Sequence, residues 1–163
     1  MSEFQLDQNI NSKKLVKTCR SEGSVVRRFP RRLHDRKDPE ILHELMARPE
    51  PFVTMDRNIA DQHCSVIPDD NPGIIIIANA AIQGTITVLR GMKILSEFKK
   101  RHPEWREIGW NNSIVEITEQ GTTVWHVARG VLICDGYTSF IDEDCVDQLR
   151  LLLARNADRP AKS

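Results

Sequence analysis

Several things are missing from this sequence, and each absence removes a class of function. The four cysteines, Cys19, Cys64, Cys134 and Cys145, lie far apart, with no Cys-x-x-Cys pair or other metal-binding spacing. That argues against a zinc module or a disulfide framework and favours free thiols in a reducing compartment. The opening MSEFQLDQN has no basic segment followed by an apolar run, so it does not read as a secretion signal. The longest apolar run, Ile74 to Ala78, is far too short to span a bilayer. Together these features predict a cytoplasmic protein with no membrane partner. Excess charge is absent too: Lys plus Arg and Asp plus Glu both number 23, so no global field draws the chain toward nucleic acid. Internal repeats and low-complexity linkers are also lacking.

What is present suits a globular domain, with 40% hydrophobic and 28% charged residues in a chain of 163. Residues 1–156 read as a single domain, and 157–163 as a polar tail expected to be disordered. Beneath the neutral total lies a local imbalance. Arg27, Arg28, Arg31, Arg32, Arg36 and Lys37 form a basic stretch. Such a stretch is either a solvated loop or a grip on a phosphate backbone.

Glu3 to Asp7 reads as a strand. Asn11 or Ser12 caps a helix with apolar Leu15, Val16 and Cys19, closed by Gly23. Ser24 to Phe29 is a second strand, and Asp38-Pro39 opens a helix carrying Ile41, Leu42 and Leu45, with Pro39 suited to its first position. Phe52 to Met55 is the third strand, followed by a polar loop. Gly73 to Asn79 contains four successive isoleucines, the pattern of a strand covered on both faces. The alternation predicts an α/β fold with a mostly parallel sheet flanked by helices. A helix over roughly Gln83 to Arg101 is stopped by Pro103. Ser113 to Thr118 and Thr122 to Ala128 form a hairpin about Gln120-Gly121, with a further strand over Val131 to Cys134. Asp142 to Asn156 is the last helix, completing a C-terminal hairpin-and-helix unit.

Ligands of such sheets sit beyond the carboxyl ends of the strands. Asp7 and Asp56 fall at two such ends, and Asp38 at a helix start that can face the same edge. Each has an ordinary explanation: Asp7 and Asp56 as turn residues, Asp38 as a helix cap. Asp61, Asp69 and Asp70 read as solvated loop acids. Convergence would change the weighing, because crowded carboxylates repel unless a cation neutralises them. Oxygen ligands without supporting His or Cys favour Mg²⁺ or Mn²⁺ over Zn²⁺. The histidines have no ligand spacing, and Cys64 beside His63 reads as an ordinary half-buried thiol. Trp105, Trp110 and Trp125 fit packing beneath the hairpin better than stacking on bases.

The segments LDQNI, DPEILHELMARPEPFVTMDRNI and PGIIIIAN, in that order, resemble the small PIN-like proteins of bacteria. That family places Asp-x-Asn at the end of the first strand, an Asp opening a helix, a strand ending Thr-x-Asp-x-Asp-Phe, and an apolar strand after Pro-Gly. The likeness covers about Glu3 to Asn79, and more loosely the helix and hairpin through Arg129. It implies a PIN-like fold and a ribonuclease dependent on Mg²⁺ or Mn²⁺, often the toxin of a toxin–antitoxin pair. Carried over by position, it implies catalytic, metal-binding acids at Asp7, Asp38 and Asp56. Asn9, Thr54, Asn58 and Asp61 would support them, and Arg27, Arg28, Arg31 and Arg32 would hold the RNA. RNA and a protein antitoxin are the implied partners, with self-association left open. The chain departs from the pattern in two places: Asn58 stands where the family often has its second acid, and Ile59 where it has Phe. Loss of that charge leaves a second reading open, a non-catalytic module that binds RNA or a protein.

Overall fold

Four consecutive isoleucines cannot be satisfied by a sheet with one wet face, and the fold is arranged around that fact. In the computed structural model, which describes residues 4–7, 17, 20, 26–77, 97–98, 100–103, 109–118, 120–139 and 144–157, Ile74–Ile77 is the central strand β4, buried throughout. Ile75 and Ile77 point into one apolar cluster and Ile74 and Ile76 into another. The other strands are β1 (Phe4–Leu6), β2 (Val26–Arg27), β3 (Phe52–Thr54), β5 (Ile114–Ile117), β6 (Gly121–Ala128) and β7 (Val131–Ser139). They form one seven-stranded sheet in the order β2-β1-β3-β4-β5-β6-β7. The first five in that order are parallel, and β5-β6-β7 is an antiparallel meander.

Three helices are described: α1 (Asp38–Leu45), α2 (Ile59–His63) and α3 (Cys145–Ala157). Ile41, Leu42 and Leu45 of α1 join Ile59 and Ala60 of α2 in the cluster with Ile74 and Ile76. Leu149 and Leu153 of α3 cover the opposite face, with Phe4, Phe98 and Trp110. The α/β class and the mostly parallel sheet expected from the sequence are therefore observed.

Several expectations shift in detail. The helix expected from Asp38 begins there, but its N-cap is Lys37 and no side chain caps it, so Asp38 is not a cap. Pro39 consequently takes the second helical position. The loop after β3 contains α2 and a short 3-10 turn, Cys64–Val66. Five helical residues are too few to show periodicity in a sequence. Of the strand expected over Ser24 to Phe29, the described residues pair at Val26–Arg27, and Phe29 leaves the sheet to pack in the α1 cluster. The segment expected only as a hairpin arm is also the fifth parallel strand, Ile114 pairing with Ile74 on one side and Trp125 on the other. Strand β7 runs to Ser139, past the expected end at Cys134, with Val131, Ile133 and Tyr137 exposed along it. Arg129 and Gly130, both at positive φ, form the two-residue turn before it. Apart from Lys17 and Arg20, both helical, the helix expected over 11–23 lies outside the described residues, as do most of that over 83–101, Asn9, Trp105 and 158–163.

The edge where β4 begins is closed by buried amides. Asn71 Nδ2 donates to the Pro68 carbonyl and to Asn112 Oδ1, and Asn112 bonds both backbone groups of Val127. Asn71 Oδ1 accepts from the Gly73 N–H. Gly73 itself sits at φ +105, and a Cβ there would stand 2.4 Å from the Trp110 carbonyl oxygen. Gly73→Ala should therefore cost about 3 kcal/mol, from backbone strain and overlap together. Urea denaturation would measure it, and an unchanged midpoint would mean that the Trp110 loop yields freely.

Candidate functional site

The parallel strands run in the order 2-1-3-4-5, so the chain moves one way from β1 to β2 and the other way to β3. Such a reversal opens a crevice beyond the carboxyl ends of the two strands beside it, here β1 and β3. Asp7 lies just past the end of β1, its N–H bonded to the Val53 carbonyl at 2.8 Å. Thr54 ends β3 and is fully buried. Its hydroxyl donates to Asp7 Oδ2 at 2.6 Å and accepts from the Asp56 N–H at 3.0 Å. Asp56 Oδ1 in turn accepts from the Asn58 N–H at 3.0 Å, a turn closed by its own side chain. One hydroxyl thus joins two acidic positions across the crevice.

Asp38 is engaged elsewhere. Its carboxylate is 3.5 Å from His63 Nε2 at the end of α2, a pair that is ionic only while the imidazole is protonated. Among the described residues, no three His, Cys, Asp or Glu side chains gather as a metal site. The arrangement expected for Asp7, Asp38 and Asp56 as one three-carboxylate cluster is therefore not formed. Asp61 is exposed on α2, and Asn58 precedes that helix without capping it by its side chain. Asp69 accepts from the Arg129 N–H and so secures the β6-β7 turn. What remains beside the crevice is two acids of the hard-oxygen kind: Asp7, whose carboxylate meets Thr54, and Asp56, whose backbone N–H meets Thr54 while its carboxylate accepts from the Asn58 N–H. By the chemistry of the donors alone, one or two carboxylates with retained waters and substrate phosphates are what Mg²⁺ or Mn²⁺ takes. The pair does not fit an ion enclosed by protein ligands.

A residue that sequence reasoning passed over shares this edge. The register aligns Thr54 with Ile76 and Ile76 with Glu116, so all three lie in one row across the sheet. The Glu116 side chain is only 16% exposed, and its partner Arg57 holds it at 3.7 Å, too far for a hydrogen bond. The clue was present in IVEI, where a carboxylate takes an inward position of a buried strand. A cavity of about 430 Å³ opens beside it, between Arg57, Asn58 and the apolar sheet face.

The basic stretch is largely matched by acids. Arg27 pairs with buried Glu50 at 2.7 Å, Arg32 pairs with Glu44, and Arg36 lies 3.5 Å from Glu40. Arg48 joins this neighbourhood: burial lowers its pKa from the ordinary arginine value, Arg27 and Arg32 lower it further, and Glu50 opposes them. Arg28 and Arg31 are exposed. Cys64, Cys134 and Cys145 are free thiols, and among the described residues no helix is long and apolar enough to cross a membrane.

Compared with protein-family models, curated proteins and solved structures, the chain matches none.

The Thr54 hydroxyl is the test of this geometry. Thr54→Val keeps the shape but leaves Asp7 Oδ2 and the Asp56 N–H without that partner, and should cost about 1–3 kcal/mol. Thr54→Ser should cost less than half as much. Equal stability of Val and Ser variants in urea denaturation would show that the bridge is energetically idle.

Proposed function

We propose that the chain is a PIN-like ribonuclease dependent on Mg²⁺ or Mn²⁺, with RNA as substrate and a protein antitoxin as partner. The observation that carries this reading is the Thr54 hydroxyl linking Asp7 to Asp56 where the strand order reverses. Two acids at that point supply negative charge in the crevice where α/β sheets receive ligands. When bound there, the cation would neutralise charge on the phosphodiester and lower the pKa of water in its shell. The protein's part is positional. Thr54 fixes the Asp7 carboxylate and the Asp56 backbone, and the Asp56 side chain is held in its own turn by the Asn58 N–H.

A second reading, a non-catalytic RNA- or protein-binding module, draws on two observations. Asp38 is turned to His63, and an uncharged amide stands at Asn58. A site with fewer charges binds a divalent cation more weakly.

Purified protein should cleave single-stranded RNA with Mn²⁺ or Mg²⁺ and stop in EDTA. Asp7→Asn and Asp56→Asn should each abolish cleavage, because each removes a full charge while barely changing volume. Asp38→Asn should retain most of it, in keeping with the His63 contact. Asn58→Asp should raise cleavage by strengthening cation binding. No cleavage by the parent chain or by Asn58→Asp at saturating Mn²⁺ would favour the binding module.

The arginines divide on the same reading. Arg31→Ala should reduce the salt slope of RNA binding by about one. Arg27→Ala should instead lower stability, because it leaves buried Glu50 without its cation. Filter binding across a salt series, with urea denaturation alongside, would separate the two effects. An unchanged slope for Arg31→Ala would make that residue ordinary surface.

A further inference from the structure

The cavity beside Glu116 has walls of two chemical kinds. Ile76, Ile114 and Leu132 form an apolar floor, and Trp125, half-buried beside its cross-strand neighbour Ile114, lines the same cavity. The polar side carries Glu116, with Arg57, Asn58 and Asp61 at the rim. An aromatic wall and a flat apolar floor suit a planar ring, since every base has a π-face to stack. The volume, about 430 Å³, lies in the range of small-ligand pockets.

Glu116 narrows the choice of ring. An ionised carboxylate only accepts hydrogen bonds, and its two oxygens call for two neighbouring donors. On the Watson–Crick edge, guanine alone among the common bases offers that pair, the N1–H and the N2 amino group. Adenine and cytosine set an amino group beside an acceptor, and uracil sets its N3–H between two carbonyls. Arg57, at 3.7 Å and 59% exposed, is too loosely held to occupy the carboxylate. Its guanidinium can swing toward a phosphate when a base enters.

We propose that this cavity is a guanine-binding pocket, in which the ring stacks on Trp125 and its N1–H and N2 amino group donate to Glu116. The proposal rests on RNA being the ligand class and gives that reading a base preference. Two strand spacings separate Glu116 from Thr54 in the aligned row, on the order of 10 Å. A guanine held there brings its own phosphate, or an adjacent one, toward the Asp7–Asp56 crevice.

Ligand-observed NMR titrations of the full chain, without divalent cation, would test this with GMP, IMP and AMP. GMP should bind about tenfold or more tighter than AMP. IMP, which keeps N1–H but lacks the amino group, should fall between them. Glu116→Gln is nearly isosteric but replaces one acceptor with a donor, and should erase the order. Trp125→Leu should weaken all three nucleotides together, and Trp125→Phe should do so less severely if the Leu variant fails to fold. Equal binding of GMP and AMP, no binding of either, or a guanine preference that survives Glu116→Gln would overturn the pocket. GMP selection without RNA cleavage would leave the pocket standing while the nuclease reading fell. Metal-dependent cleavage without GMP selection would do the reverse.

Discussion

Everything in this fold follows from burying β4 on both sides. Ile74, Ile75, Ile76 and Ile77 are each 0–2% exposed, and full burial of one such side chain contributes about 1.5–3 kcal/mol. That gain requires apolar cover on both faces. Helices α1 and α2 supply one layer and α3 much of the other, while β3 and β5 protect the two edges. With the faces covered, the ends of the strands remain for chemistry. At one end a buried amide network and Gly73 close the sheet, and at the other, among the described residues, β1 and β3 end in Asp7, Thr54 and Asp56. The division between structural and candidate functional edges is thus a result of where the isoleucines lie.

The antiparallel extension is tied in by different means. His126 Nδ1 and Asp135 Oδ1 are 2.8 Å apart, and Asn156 Nδ2 donates to Asp135 Oδ2 and to the Ser113 hydroxyl. This buried chain joins β6, β7, α3 and the start of β5. Polar groups so enclosed are tolerable only when they satisfy one another, so the chain specifies how the helix sits on the meander.

Apolar runs and turn residues made the sheet legible. FVT and IIII announced buried strands, and Pro-Gly before the isoleucines announced their start. Long-range polar contacts were less visible. Nothing local in the sequence says that Asp38 meets His63, or that Arg27 meets Glu50, because each pair is made by tertiary packing. The basic stretch looked unopposed in part for the same reason: Glu44 and Glu50 reach Arg32 and Arg27 through tertiary packing, whereas Glu40 lies only four residues from Arg36. Helix α2 was too short to show a period. At the candidate site, Asp7, Thr54 and Asp56 could be read as strand ends, whereas the shared hydroxyl could not. Glu116 was legible in principle, as a charge on an inward strand position, but its meaning depended on which strands flanked it.

Thr54 and Asp7 are 47 residues apart in sequence and meet through a strand of only three residues. The crevice between them therefore exists only while β1 is docked beside β3. A ligand that touches both sides has no counterpart to bind in the unfolded chain. Its binding free energy is added to the folding equilibrium in full, growing by RT ln(1 + [L]/Kd) with concentration. Occupancy of the crevice and cohesion of the sheet's two three-residue inner strands are thereby one thermodynamic quantity, and a rise in melting temperature can report a ligand before any reaction is known.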